Sequence, residues 1–219
     1  RPFSKQWLYF NRRFNNTVYQ MPRIFPDPTA NNRVICINGV GAQKEFSSFI
    51  SDHLPDFHLM QTGQCFPLYL FEVEQKDEAD APLFSARAKQ TGPQRRDAIT
   101  DEGLAHFRDA YPAEAITKED VFYYVYGLLH STDYRETYAA DLKKMLPRIP
   151  MVRDFTGFAE AGRKLSDLHL GYESVEPYPL EGLDVTLPPG ADAYDIFAVG
   201  DKKMPFGKPT PEQKAAGER

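Results

Sequence analysis

Three polar residues in the first half of the chain have the spacing of a metal-dependent nuclease site. Pro55 and Asp56 are followed, after seventeen residues, by Glu74, Gln75 and Lys76. In such a site two carboxylates hold a magnesium ion, and the lysine positions the attacking water. The pattern is short, and Glu74 lies where a strand-like run passes into a charged segment in which acids and lysines are common. A nuclease that uses Asp56, Glu74 and Lys76, with Asp56 and Glu74 as metal ligands, is therefore one alternative interpretation.

Other patterns for phosphate binding, metal binding or nucleophilic catalysis are absent from the sequence. The glycine-containing run at residues 38–44 has Lys44 where a dinucleotide fingerprint requires glycine, and no Gly-Lys-Ser/Thr loop occurs. The histidines and the two cysteines, Cys36 and Cys65, lack zinc-site spacing. We therefore predict no catalytic residue, no metal site and no cofactor in this chain outside the nuclease alternative.

Basic residues concentrate at the start of an otherwise acidic chain. The net charge of the 219 residues is −5, but residues 1–44 carry +6 and the remainder −11. A basic segment on an acidic body can orient an anionic partner. Arginine and lysine contact phosphates or guanine, and glutamine pairs with adenine. The predicted DNA-binding residues form an N-terminal group and a later loop group: Arg12, Arg13, Arg23, Gln43 and Lys44, then Arg87, Lys89, Arg95 and Arg96.

The first 98 residues are predicted to be rich in β-structure. Short β-rich runs are separated by proline and glycine, which favours a small antiparallel sheet or a partial barrel. From about residue 75 to residue 98 the composition changes to charged residues, alanine, glutamine, glycine and proline, which predicts a long exposed loop. The predicted strands lie at residues 6–10, 33–38, 46–50, 57–60 and 66–74.

Residues 99–176 have the periodicity of about four helices. Thr100 precedes a first helix that ends before Pro112, and residues 117–120 form an approximate capping box for a buried helix over residues 117–131. A further helix starts at Ser131 or Thr132 and stops at Pro147. Asp154 caps the last helix, whose apolar stripe is predicted to consist of Phe158, Ala161, Leu165, Leu168 and Tyr172.

Residues 177–219 are predicted to form a proline-rich connection, a strand at residues 194–199 and a polar tail. The predicted fold class is therefore α+β, with a closing β segment that we interpret as truncated. The chain begins inside an aromatic-rich run, and we interpret it as part of a longer polypeptide. No apolar run approaches the about 20 residues that a membrane span needs. We expect a cytoplasmic location and no membrane partner.

Several phrases of the sequence resemble the C-terminal specificity region of type ISP restriction-modification enzymes. The resemblance extends from Arg1 to about Pro179. Its phrases are RPFSKQWLYF at residues 1–10, QCFPLYL at 64–70, ITKEDVFYYVY at 116–126, LHSTDYR at 129–135, LPRIP at 146–150, FAEAGRKL at 158–165 and LHLGYE at 168–173.

The resemblance implies a module that recognises specific duplex DNA sequences on behalf of catalytic domains upstream. Those domains would be an adenine methyltransferase, a helicase-like ATPase and a nuclease, which use S-adenosylmethionine, ATP and Mg²⁺. The methyltransferase and ATPase motifs are absent from this sequence, so the fragment is expected to be non-catalytic. A third interpretation is a structural coupling module whose helices dock other domains.

Overall fold

The computed structural model describes residues 5–11, 14–56, 58–60, 62–72, 93–176 and 189–190. Contacts divide the chain into two units, Arg1–Val175 and Glu176–Arg219. The predicted strand at residues 194–199 lies outside the described residues. The elements of the first unit are, in chain order, α1 Met21–Ile24, β1 Val34–Ile37, β2 Ser48–Ser51, β3 Gln64–Pro67, β4 Tyr69–Glu72, β5 Gln94–Asp97, α2 Asp101–Ala110, α3 Lys118–His130, α4 Thr132–Thr137, α5 Ala139–Leu142 and α6 Phe155–Leu170.

Strand β1 is the centre of a three-stranded antiparallel sheet of order β2-β1-β3. All four residues of β1 are buried, because both faces of the strand are covered. Ile35 and Ile37 belong to the main core with helices α3 and α6, whereas Val34 and Cys36 belong to a second apolar cluster with α1. The period of two along a strand explains this division of neighbouring residues.

Strands β4 and β5 form a separate two-stranded antiparallel ribbon, in which Tyr69 lies opposite Asp97 and Glu72 opposite Gln94. The run predicted as one strand over residues 66–74 is thus divided between β3 and β4, with Leu68 at the junction. The predicted loop over residues 75–98 is wrong at its end, because residues 94–97 pair with β4 as β5. Residues 75–92 lie outside the described part of the chain.

The helix boundaries follow from capping chemistry that is visible in the sequence. Thr100 Oγ1 accepts a hydrogen bond from the Gly103 amide at the start of α2. Thr117 and Asp120 form a reciprocal capping box at α3, as predicted. Asp154 caps α6. One helix was predicted between residues 131 and 147, but the structure has two short helices there, α4 and α5. Tyr138 is the C-cap of α4 and the N-cap of α5.

Helices α3 and α6 pack against each other along a face of small residues. The buried positions of α6 are Phe155, Ala159, Gly162 and Ser166. This face is displaced by one residue, or about 100° of helix rotation, from the predicted stripe. Of that stripe, Leu168 and Ala161 are exposed. Phe158 and Leu165 of the stripe are partly buried against the main core, as predicted. The fully buried positions were missed, because the stripe followed hydrophobicity whereas the close helix crossing selects small side chains.

Two predicted strands are not formed. Residues 6–10 are irregular, with Trp7 and Tyr9 exposed, because no strand of the described chain pairs with them. Residues 58–60 form a turn in place of a strand. The α+β class and the small antiparallel sheet are nevertheless confirmed, and no helix in the described ranges is long and apolar enough to cross a membrane.

A cluster of Tyr126, His130 and His169 joins α3 to α6 beside β2. The Tyr126 hydroxyl donates to His169 Nδ1 at 2.6 Å, and His130 Nδ1 donates to the Tyr126 carbonyl at 2.9 Å. Ser48 Oγ lies 3.3 Å from His130 Nε2. Burial lowers the pKa of both histidines below the ordinary value of 6.5. The charge of Arg135 lowers the pKa of His130 further, and His130 lowers the pKa of His169 further.

We therefore predict that the protein loses stability as the pH falls through about 6.5. Below that pH the unfolded chain binds protons at His130 and His169 that the folded chain does not bind, so protonation favours unfolding; above about pH 7.5 this contribution is constant. Urea unfolding at a series of pH values measures the effect. His106 is exposed, so His106→Asn is the matched control and should keep the wild-type dependence of the unfolding free energy on pH. His130→Asn should make that dependence weaker.

Candidate nucleic-acid interface

Strand β5 presents an exposed row of polar and basic side chains. All four of its residues, Gln94, Arg95, Arg96 and Asp97, are exposed. The Arg95 guanidinium lies 4.2 Å from the centroid of the Tyr69 ring on β4, a cation–π contact that orients the arginine. Among the described residues, no carboxylate lies within ion-pair distance of Arg95 or Arg96. Both positive charges therefore stay available to an anion.

The two arginines project from different faces of the ribbon. Arg95 lies opposite Phe71, and Arg96 lies opposite Leu70, so their side chains alternate across the pleat. Leu70 packs against the second apolar cluster, which contains Ile24 of α1. Arg96 therefore projects on the side of the ribbon that is next to α1.

Buried Asn32 fixes α1 against the ribbon. Its Nδ2 donates to the Ile24 carbonyl and to the Tyr69 carbonyl, each at 2.9 Å. Its Oδ1 accepts from the Tyr69 amide at 3.1 Å and from the Arg33 amide at 2.8 Å. One side chain thus joins the end of the helix to the start of β4. Asn32 was not predicted from the sequence, because nothing in its local sequence distinguishes it from the exposed Asn31.

Arg23 is the member of the predicted N-terminal group that the structure places next to the ribbon. It lies on α1, is half-buried, and donates from Nη1 to Gln20 Oε1 at 3.2 Å. Since α1 contacts β4, and β4 pairs with β5, Arg23 lies on a helix that packs against the ribbon of Arg95 and Arg96. Two groups that the sequence separates by about seventy residues are therefore on adjacent elements.

Gln43 and Lys44 lie at the other end of the sheet. They are exposed in the connection between β1 and β2, which leaves β1 after Ile37, whereas the ribbon begins beside Val34. The length of a four-residue strand, about 10 Å, separates these two ends. The Asn38 side chain holds the connection by accepting from the Ser47 amide at 2.9 Å. The structure does not bring Gln43 and Lys44 together with Arg95 and Arg96.

The remaining predicted residues fall in undescribed ranges, with one exception. Arg12, Arg13, Glu74, Lys76, Arg87 and Lys89 lie outside the described residues. The exception, Asp56, accepts a hydrogen bond from the His58 amide at 2.8 Å through Oδ1. Its carboxylate therefore stabilises the turn after Pro55. Within the described ranges, no group of three or more His, Cys, Asp or Glu residues is placed to hold a metal ion.

A comparison with protein-family models identifies the family of this chain. The sequence profile of the Type ISP C-terminal specificity domain matches residues 1–215. The chain belongs to this family. A comparison with curated proteins gave no match. The resemblance described above is thus confirmed, and the match extends over nearly the whole chain.

Solved structures similar to this specificity domain come from much longer chains. The cryoEM structure of a DrdV–DNA complex is 38% identical, with a TM-score of 0.67, and the match covers 78% of this chain and 15% of that one. A nuclease-deletion mutant of the Type ISP enzyme LlaGI with a DNA substrate mimic is 36% identical, with a TM-score of 0.62, covering 82% and 14%. The ATP-dependent Type ISP enzyme LlaBIII bound to DNA is 31% identical, with a TM-score of 0.62, covering 78% and 10%.

Proposed function

We propose that this specificity domain recognises a DNA target sequence, and that the β4–β5 ribbon carries part of the DNA-binding surface. The observation that carries the proposal is the exposed Gln94-Arg95-Arg96 run of β5. The other strand of this ribbon, β4, contacts α1, the helix that carries Arg23. A two-stranded ribbon fits the major groove of B-DNA, which is about 12 Å wide. The DNA-bound state of the three solved relatives supports the proposal.

Because Arg95 and Arg96 lie on different faces of the ribbon, they make different contacts with DNA in this proposal. Arg95 rests on the Tyr69 ring, so part of its rotamer freedom is already lost before binding. Arg96 and Gln94 share the other face. Arginine pairs bidentately with guanine and glutamine with adenine, so this face offers both types of base contact. A ribbon lying in the groove meets a phosphate backbone on each side, and Arg95 is positioned to contact one of them.

The domain acts as the specificity part of a restriction-modification enzyme and performs no chemistry by itself. In this proposal it places duplex DNA for an adenine methyltransferase, an ATPase and a nuclease of the same polypeptide. S-adenosylmethionine, ATP and Mg²⁺ are cofactors of those domains, and all of them act in the cytoplasm. Arg12, Arg13, Gln43, Lys44, Arg87 and Lys89 remain proposed DNA-binding residues and form a second set for mutation, separate from the ribbon.

Replacing Arg95 and Arg96 by alanine is expected to weaken DNA binding. The test selects duplexes from a randomised pool with the 219-residue chain, then measures affinity for a selected and a scrambled duplex by fluorescence anisotropy over a salt series. Losing a base contact should cost about 1–3 kcal/mol on the selected duplex alone. Losing a phosphate contact should weaken binding to both duplexes and reduce the salt slope by about one. Low salt is required because the net charge is −5.

Arg153→Ala is the control for each single replacement of Arg95 or Arg96, since it removes one arginine charge from an exposed position just before α6. It should leave both affinities and the salt slope unchanged. If the double variant at Arg95 and Arg96 behaves like Arg153→Ala, the ribbon is not part of the interface. If no duplex is enriched by the wild-type chain, the domain does not recognise DNA on its own.

The nuclease alternative has a direct test. We expect the purified chain to hydrolyse neither ATP nor plasmid DNA when Mg²⁺ is present, because Asp56 is engaged in a turn and no phosphate-binding loop occurs in the sequence. Gel electrophoresis and a phosphate-release assay measure the two activities. Magnesium-dependent cleavage that is lost in Asp56→Ala and retained in Asp52→Ala would instead establish the nuclease.

A further inference from the structure

Cys36 and Cys65, the two cysteines of the chain, are direct cross-strand neighbours. Cys36 on β1 lies opposite Cys65 on β3 in an antiparallel pair. The Leu68 amide donates to the Arg33 carbonyl, which makes positions 33 and 68 a hydrogen-bonded pair. Pairs alternate along an antiparallel ladder, so the pairs 34–67 and 36–65 are non-hydrogen-bonded. Pro67, which has no amide hydrogen, fits this alternation at position 67.

The pairing of β1 with β2 shows independently that Cys36 and Cys65 form a non-hydrogen-bonded pair. The Asn38 amide donates to the Ser47 carbonyl, so positions 38 and 47 form a hydrogen-bonded pair with β2. By the same alternation, Cys36 directs its backbone groups toward Phe49 on β2 and away from β3. In a non-hydrogen-bonded pair the two α-carbons are about 4.5 Å apart, within the range that a disulfide bridges.

The side chains are already oriented for a bond. The two Sγ atoms are 3.6 Å apart, and both residues are free thiols. We propose that Cys36 and Cys65 form a reversible cross-strand disulfide, a modification site that reacts with low-molecular-weight disulfides such as oxidised glutathione. Closing the bond requires the sulfurs to approach to about 2.05 Å, which rotation of two side chains within the ladder accomplishes.

A groove gives the reagent access to one of the two sulfurs. A cavity of about 940 Å³ is bordered by both cysteines and by residues such as Asn16, Gln20 and Met60. Cys65 is half-buried at this groove, whereas Cys36 is fully buried. The thiol hydrogen bond from Cys36 lowers the pKa of Cys65, while that bond and burial raise the pKa of Cys36. The accessible sulfur is therefore also the more readily ionised one, and it makes the first attack.

The exchange balances without any further reagent. Cys65 loses its proton to solvent and attacks one sulfur of the disulfide, forming a mixed disulfide and releasing one thiolate. Cys36 then attacks Cys65 Sγ, giving up its proton to the second departing thiolate. The two protein thiols are oxidised to one disulfide, and one small disulfide is reduced to two thiols.

The test uses the wild-type 219-residue chain, in which an intramolecular disulfide can join only these two cysteines. The protein is incubated with oxidised glutathione in native buffer, quenched, unfolded and alkylated, and its mass is measured. We expect complete loss of both alkylatable thiols, with no glutathione adduct retained. A parallel sample oxidised in concentrated urea should accumulate the adduct, because the second thiol is no longer held nearby. The oxidised native chain should melt roughly 5 °C higher or more.

Two variants test the order of attack. Cys36→Ser should retain one glutathione at Cys65, because the second attack is impossible, and Cys65→Ser should react slowly at the buried Cys36. The proposal is overturned if the native wild-type chain keeps two alkylatable thiols, retains the glutathione adduct, or forms a reducible dimer. It is likewise overturned if the intramolecular disulfide forms faster in urea than in native buffer. The wild-type measurements decide the matter even if a variant fails to fold.

Discussion

Replacing Gly162 by alanine is expected to lower the free energy of unfolding by at least about 3 kcal/mol, the upper range for overpacking. An alanine Cβ at this position would lie 2.0 Å from the Tyr123 carbonyl oxygen and 2.8 Å from the Gly127 amide nitrogen. These are backbone atoms of α3, so no side-chain rotation relieves the clash. Helices α3 and α6 would have to separate along their whole crossing, which would disturb the main core.

The sign of this effect is informative because helix propensity alone predicts the opposite. Alanine in the interior of a helix is favoured over glycine by about 1 kcal/mol. Gly103→Ala is the matched control, since the nearest atom to the added Cβ is the Thr100 hydroxyl at 3.3 Å, with no backbone contact. Urea denaturation followed by circular dichroism should show near wild-type stability for this control. Equal midpoints for both variants would refute the close helix crossing.

Replacing Asn32 by alanine is expected to cost about 3 kcal/mol or more, because several buried backbone groups lose their partner together. The Ile24 carbonyl loses its bond to Nδ2, and the Tyr69 amide and carbonyl lose both bonds to this side chain. Each buried polar group left without a partner costs about 1–3 kcal/mol. Asn32 is only 1% exposed, so water has little access to replace the missing partner.

Asn31→Ala provides a matched control for this prediction, since the neighbouring residue has the same side chain in an exposed position. Urea denaturation should show a much lower midpoint for Asn32→Ala and near wild-type stability for Asn31→Ala. Hydrogen exchange should locate the damage, with faster exchange in β4 and β5 than in α3. Unchanged exchange of the Tyr69 amide in Asn32→Ala would contradict the assigned role.

This second prediction also has a functional consequence under the proposed function. Asn32 holds α1, which carries Arg23, against the ribbon that carries Arg95 and Arg96. Its loss should therefore weaken DNA binding at temperatures where the helical core is still folded. If Asn32→Ala exchanges its β4 and β5 amides faster and still binds the selected duplex normally, DNA recognition does not depend on a fixed geometry of the ribbon.

Local chemistry in the sequence was sufficient for the main helices. The capping box of Thr117 and Asp120, and the caps at Thr100 and Asp154, lie within one turn of the amides they bind. Such contacts depend on neighbouring residues alone, so the starts of α2, α3 and α6 were predicted correctly. Strand β1 was also predicted, because its continuous apolar run is compatible with burial on both faces.

In the β-rich part, local sequence was not sufficient to predict the strands, because strands depend on pairing between remote segments. The run at residues 6–10 has strand-like composition but no partner strand in the described chain, whereas the polar residues 94–97 form β5 because β4 lies beside them. A strand is stabilised by its neighbour, and the neighbour is chosen by the whole fold. Arg95 and Arg96 were proposed as DNA-binding residues from the sequence, but the contact of Arg95 with the Tyr69 ring was not predicted.

Residue types and their spacing were enough to predict the family, the α+β class and the helix starts, and to propose a set of basic residues for DNA binding. The packed fold was needed to show which of those residues lie on elements in contact, which face of α6 is buried, and why Asn32 differs from Asn31. Caps and periodicity are properties of residues a few positions apart, so they can be read along the chain. Helix crossings and cross-strand contacts depend on backbone distances between remote segments, and these are fixed only when the core packs.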